Sequence, residues 1–251
     1  MFSAGVEDGT AHLKISRPEK LNALSGDAWP RLREVLAELG SNDEVRSVVL
    51  SGEGRCFSVG GDIDDMNRLE DLGGRRGFLE GAVAAVRALE EFPKPVIAAV
   101  HGPCFGGGLE LTLVCDIVVC DSTARFGVPE SRVGLVPGIL LVRGSSTLNS
   151  HWLKYMAMTG DPIGPEEALC AGLVNFAVPE GEHLDRALEI CSRLNRRAPL
   201  SLSLIKKAAA GDSSGYGRGP VEWGAMLQGS EDFAEGVAAF RERRSPDFRG
   251  R

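Results

Sequence analysis

The 251-residue sequence has little of what marks a metal, nucleic-acid or membrane protein. Its six cysteines, Cys56, Cys104, Cys115, Cys120, Cys170 and Cys191, form no Cys-x-x-Cys pair. Most lie in apolar segments, where a free thiol behaves as a small core residue, so a reducing, cytoplasmic compartment is expected. His12, His101, His151 and His183 are scattered without ligand spacing. Asp62, Asp64 and Asp65 in "GGDIDDM" lack the glycine and closing glutamate of a calcium loop, so no metal is expected. Positive charge is not in excess: the net charge of −7 argues against nucleic-acid or membrane-surface partners. The most apolar stretch, 96–120, is broken by Pro103, a glycine run, Glu110 and Asp116, and cannot read as a membrane span. "MFSAGVEDGTAHLKIS" carries acidic residues where a signal peptide needs a basic start and an apolar run. Repeats and low-complexity blocks are missing too.

What remains is an ordinary globular composition, 43% apolar and 25% charged, long enough for one large domain or one with a small appendage. "AHLKIS" (11–16), "VRSVVLSG" (45–52), "PVIAAVHG" (95–102) and "DIVVCD" (116–121) read as strands. Helical spacing covers 27–39, with Ser25 or Asp27 as cap, and 76–92. Near-continuous Val/Ile runs alternating with helices indicate parallel strands covered on both faces. Beyond residue 145 the pattern is mostly helical, at 147–159, 165–171, 183–196, 199–210 and 230–244, with "GDSSGYGRGP" (211–220) as connector. An α/β core over 1–195 and a helical C-terminal region over 196–251 are expected.

The chemistry concentrates in "HGPCFGGGLELTLVCD" (101–116). Three glycines precede an apolar helix holding Glu110, a carboxylate with no basic residue within a turn. Burying it unpaired is costly, so it must neutralise, find a partner elsewhere, or serve chemistry. A second glycine loop, Val59-Gly60-Gly61-Asp62, also follows a buried strand. Both loops offer backbone amides clear of side chains, suited to an anion or a developing oxyanion. Walker and dinucleotide-binding glycine patterns fit neither loop.

"LKISRPEKLNALS", "CFSVGGDIDDM", "AAVHGPCFGGGLELTLVCDIVV", "ARFGVPESRVGLVPG" and "SEDFAEGVAAFRERRSPDF" together resemble the enoyl-CoA hydratase/isomerase, or crotonase, superfamily, in the same order over nearly the whole chain. The resemblance implies a spiral of β-β-α turns with trailing helices, assembled as a homotrimer or homohexamer, the 196–251 region serving in oligomerisation. It implies an acyl-CoA substrate, with coenzyme A as part of that substrate and no separate cofactor. Carried over by position, the amides of Gly61 and Gly107 form an oxyanion hole, and Glu110 and Glu130 are the catalytic carboxylates. Lys20, Leu21 and Ala23, with Val59, Gly60, Asp62 and Ile63, lie along the substrate. Taken alone, Glu130 also reads as a loop charge or a partner for Arg132. The family pattern fails at Ile139-Leu140-Leu141-Val142, where small and polar residues usually stand beside the acyl pocket. These four either line the pocket or pack as core.

The expected activity is hydration of a 2-enoyl-CoA, because two carboxylates can activate water and protonate the α-carbon. The alternatives are another reaction on the same enolate (double-bond isomerisation, C–C lysis or thioester hydrolysis) and a non-catalytic binding relative.

Overall fold

The computed structural model describes residues 1–69, 71–210 and 219–251. β1 (Phe2–Glu7) and β2 (Thr10–Ile15) form an antiparallel hairpin. Asp8 and Gly9 turn it with φ of 47° and 76°, the left-handed conformations that a two-residue hairpin turn demands. α1 (Ala28–Ser41) leads to β3 (Ser47–Gly52); α2 (Ile63–Asn67) and α3 (Leu72–Glu90) lead to β4 (Val96–Val100). β5 (Pro103–Phe105) and α4 (Gly107–Thr112) precede β6 (Ile117–Asp121). β7 (Arg125–Gly127), α5 (Gly138–Thr147), α6 (Ser150–Thr159) and α7 (Pro165–Ala171) precede β8 (Phe176–Val178). The chain continues through α8 (His183–Leu194), α9 (Pro199–Ala210), α10 (Gly219–Gln228) and α11 (Glu231–Glu242).

The main sheet runs β1-β2-β3-β4-β6-β8. All its pairs are parallel except the first: the Val/Ile strands β3, β4 and β6 pair in parallel as expected, and the antiparallel hairpin of β1 with β2 was not anticipated. Alternate residues of the central strands enter two separate cores. Val48 and Leu50 pack with Leu32 and Leu36 of α1 and Leu89 of α3, while Val49, Ile97 and Val119 pack against Ala187, Ile190 and Cys191 of α8. Both faces are covered, which is why these strands read as unbroken apolar runs.

A second, narrower layer is built from the segments that follow each main strand. β5 pairs in parallel with β7, and single bridges join Ser58 to Cys104, Leu24 to Gly61 and Phe126 to Ile163. Each winding of the chain therefore contributes a long strand, a short extended segment and a helix, the β-β-α spiral. Both glycine loops leave this second layer side by side.

Several local expectations are revised. Asp27 stands at the N-cap of α1 without a side-chain bond to the helix, and the Ser25 hydroxyl donates to Asp27 instead. The helix expected over 147–159 is α6 and starts later, at Ser150: Thr147 ends α5, and at Leu148-Asn149 the chain breaks, the Asn149 side chain capping α6 by accepting from the His151 amide at 2.9 Å. Of the connector 211–220, residues 211–218 lie outside the described residues, and Gly219 and Pro220 begin α10. All six cysteines are free thiols. Among the described residues, no helix is long and apolar enough to cross a membrane, and no three His, Cys, Asp or Glu side chains are grouped to hold a metal.

For the apolar run 139–142 the core alternative holds at Leu140, with Ile139 partly buried against the same core. Leu140 is fully buried in the main core, whereas Leu141 and Val142 face outward at 42% and 69% exposure. Leu140→Ala is accordingly expected to cost ~2–5 kcal/mol of stability and Leu141→Ala well under ~1 kcal/mol. Urea unfolding of the two variants measures the difference; equal losses would contradict this placement.

Candidate active site

The two glycine loops meet edge to edge. An ideal Cβ placed on Gly60, whose φ is +88°, would stand 2.7 Å from the Phe105 carbonyl oxygen and 3.0 Å from the Gly107 nitrogen. Only glycine permits this approach. On Gly106, with φ +47°, the same atom would stand 2.8 Å from Oε1 of Glu130. Gly60, Gly106, Gly107 and Glu130 thus crowd one point.

Gly61 and Gly107 keep their amides free. Leu24 brackets Gly61: its N–H donates to the Gly60 carbonyl at 2.8 Å, and its carbonyl accepts from the Asp62 N–H at 2.9 Å. Neither the Gly61 nor the Gly107 N–H donates to an acceptor among the described residues. Gly107 opens α4, so its amide is one of the donors a helix start leaves over. Two such amides can polarise one oxygen. Behind them stands an apolar wall. A Cβ on Gly61 would meet Met66 Sδ at 3.4 Å and Phe78 at 3.8 Å, and one on Gly107 would meet Trp29 at 3.3 Å.

Glu110 lies on the first turn of α4, only 8% exposed. Its partner comes from 29 residues ahead: the Ile139 and Leu140 amides, at the start of α5, donate to its Oε1 at 3.0 and 3.1 Å. Burial nevertheless dominates and, with the charge of Glu130, pushes the carboxyl up to about 7 against the pull of these amides. An oxygen accepting two N–H bonds cannot carry the proton as well. Proton exchange therefore falls to Oε2.

Glu130 follows Pro129 on a 3-10 turn, Pro129–Val133. Its side chain is half-buried, and Oε2 is enclosed without a hydrogen-bond partner. Burial raises its pKa as well. Arg132 pairs with Asp161 rather than Glu130. Glu130 is near enough for its charge to raise the Glu110 carboxyl, and two neighbouring carboxyls in unlike surroundings can act as acid and base at neutral pH.

The segment 20–24 lies alongside 59–62, with the Val59 amide on the Leu21 carbonyl at 3.2 Å. Lys20 is exposed and paired to Asp64, Leu21 (φ 53°) and Val59 are half-buried, Ala23 is buried, and Ile63 is 64% exposed. Asp62 is buried with both carboxylate oxygens engaged inside the protein.

A family model described as enoyl-CoA hydratase/isomerase matches residues 5–251. The chain belongs to the enoyl-CoA hydratase/isomerase family. It is accordingly a crotonase-type, acyl-CoA-processing enzyme. It is similar to the short-chain-enoyl-CoA hydratase of Clostridium acetobutylicum, 38% identical over 205 residues, covering 80% of this chain and 78% of that one. The 2,3-dehydroadipyl-CoA hydratase of Escherichia coli K12 is 32% identical over 247 residues, 95% of this chain and 94% of the relative. The crystal structure of an enoyl-CoA hydratase from Bacillus anthracis superposes with a TM-score of 0.94 at 26% identity, covering 100% and 99% of the two chains.

Three features of this crotonase site were not anticipated. Asn22 is fully buried with φ 56°, its side-chain NH2 donating to the carbonyls of Glu53, Cys56 and Phe57, so it ties the 20–24 segment to the stretch that leads into the Gly60-Gly61 loop. A lone Asn among the apolar residues of "KLNAL" was the available signal. The α5 amides that hold Glu110 left no trace in side-chain patterns. Trp29, from a helix earlier in the chain, backs Gly107 through a contact that no local pattern announces.

Proposed function

We propose that the protein is an enoyl-CoA hydratase in which the Gly61 and Gly107 amides hold the thioester oxygen and Glu110 and Glu130 move the protons. The observation that carries this reading is the pair of buried carboxyls, both with raised pKa, beside two unengaged glycine amides. Glu110 takes a proton on Oε2 from the water that attacks C3. Electron density passes through C2 to the thioester oxygen, where the two amides stabilise the enolate. Glu130, which burial favours in its protonated form, delivers a proton to C2. With neighbouring carboxyls moving both protons, water is expected to add syn. Lys20, Leu21, Ala23, Val59, Gly60 and Ile63 border the coenzyme A portion, and Asp62 supports them from within. No further cofactor enters the scheme.

Assembly belongs to the same reading. The 196–251 region carries outward apolar residues, Val221, Met226 and Phe240 at 75%, 60% and 86% exposure, and serves as the oligomerisation region of a homotrimer or homohexamer on the 1–195 core.

The test is turnover of a panel from crotonyl-CoA to longer 2-enoyl-CoAs, followed by loss of the conjugated thioester absorbance. Hydration to the 3-hydroxyacyl-CoA is expected, with one solvent deuteron at C2 in D2O. Formation of a 3-enoyl-CoA or of free coenzyme A from the same panel would overturn the hydratase in favour of an isomerase or a thioester hydrolase.

A further inference from the structure

Asp62 is a costly residue to place beside a substrate loop. Its side chain is 6% exposed, and its one cationic partner is Arg17, whose Nη1 lies 2.7 Å from Oδ2. Oδ1 is taken by the Asp64 and Asp65 amides at 3.0 and 3.4 Å, capping α2. No oxygen is left over for coenzyme A. A buried ion pair gives little net stability, since each charge must leave water to form it. Its value has to lie in what it fixes.

What it fixes is the neighbour of Gly61. Arg17 Nη1 also donates to the Ala23 carbonyl at 3.1 Å, and the Arg17 N–H donates to Asn22 Oδ1 at 2.9 Å. Arg17 therefore grips the same 22–24 segment through which Leu24 brackets Gly61, and grips Asp62 on the other side. The Gly61 N–H makes no hydrogen bond of its own and shares its peptide plane with the Gly60 carbonyl, so its direction is set by the Leu24 N–H that holds that carbonyl.

We propose that the Arg17–Asp62 ion pair is a positioning device that aims the Gly61 amide at the thioester oxygen of the substrate. This rests on the reading of Gly61 as an oxyanion donor. Arg17 and Asp62 touch no reacting atom; they act through the peptide plane between Gly60 and Gly61. Loss of the pair loosens the 22–24 segment whose Leu24 N–H holds the Gly60 carbonyl of that plane, so the plane can rotate, and a misaimed donor of this kind costs about ten- to a hundredfold in turnover.

The experiment is infrared difference spectroscopy of bound butyryl-CoA carrying 13C at the thioester carbonyl. It is run on wild type, Arg17→Gln, Asp62→Asn and Arg17→Lys, with kcat, KM and thermal midpoints measured in parallel. Wild type is expected to shift the carbonyl stretch to lower frequency. Arg17→Gln and Asp62→Asn should lose most of that shift, with kcat reduced about ten- to a hundredfold and KM changed less than about threefold. Arg17→Lys, which keeps the charge, should recover part of both. Should Arg17→Gln not fold, Asp62→Asn decides alone, because asparagine still caps α2. A folded variant with the wild-type shift overturns the inference while leaving the oxyanion reading intact, whatever its kcat. An unshifted carbonyl in wild type overturns the oxyanion reading, and the inference with it.

Discussion

Glu110→Gln should abolish turnover and yet make the protein more stable at alkaline pH. The glutamine carbonyl oxygen can still accept from the Ile139 and Leu140 amides, so the clamp survives, but no proton can be taken from water. Removing a general base costs ~10²–10⁴ in rate. Stability moves the other way. Burial raises the Glu110 carboxyl from 4.5 to about 7, so the folded protein binds the proton more tightly than the unfolded chain. The corresponding stability is fully present below pH 4.5 and lost as the pH rises through about 7. A rise of that size corresponds to ~3 kcal/mol, which wild type forgoes above neutrality and the glutamine variant does not. Urea unfolding at pH 8 and pH 5 measures it: the variant's advantage should be largest at pH 8 and shrink towards acid. The same titration gives wild-type kcat/KM an acid limb near pH 7. An advantage independent of pH would place the proton somewhere other than Glu110.

The second large effect separates two adjacent glycines. Gly60→Ala puts a Cβ 2.7 Å from the Phe105 carbonyl and 3.0 Å from the Gly107 nitrogen, at a φ of +88° that alanine resists. The two loops must part, and with them the two amides. A loss of ~10²–10³ in turnover is expected, the cost of removing one oxyanion donor. Gly61→Ala, one residue on, meets only Met66 Sδ at 3.4 Å and Phe78 at 3.8 Å, ordinary contacts with adaptable side chains. Its turnover should stay near wild type, although in the proposed mechanism Gly61 supplies the amide itself. Steady-state kinetics on the two variants test the ordering. Equal damage, or the reverse order, would show that the spacing of the two loops is not what the glycines protect.

The fold was legible where side chains repeat with a period and obscure where the backbone acts. Val and Ile runs revealed β3, β4 and β6 because both faces of the sheet are buried, and α7 and α9 have the bounds their spacing indicated. The hairpin was marked by Asp8-Gly9, and Phe2, Ala4 and Val6 alternate with Ser3, Gly5 and Glu7 before it, but only Phe2 of β1 is buried and the alternation is weakly apolar. α10 was missed because its residues abut a glycine- and serine-rich stretch that reads as linker. Within the site, the glycines and Glu110 stood out because three glycines and a lone carboxylate are hard to reconcile with an ordinary helix. The amides of Ile139 and Leu140 did not, since a backbone donor is common to every residue but proline. The same applies to Asp62, which the resemblance laid along the substrate: its burial against Arg17, 45 residues earlier, has no local signal.

The order of the main sheet has a consequence for how the protein is made. From β1 to β8, strand order in space follows strand order in the chain. During synthesis each new strand can dock on an edge already present, without waiting for a later segment to be inserted between earlier ones. Glu110 is an exception to this orderly growth. It leaves the ribosome between β4 and β6, but the amides that receive it belong to α5, 29 residues further on. On a nascent chain arrested after β6, the N-terminal strands can pair while Glu110 still has only water for a partner, and the clamp can close only when α5 has emerged.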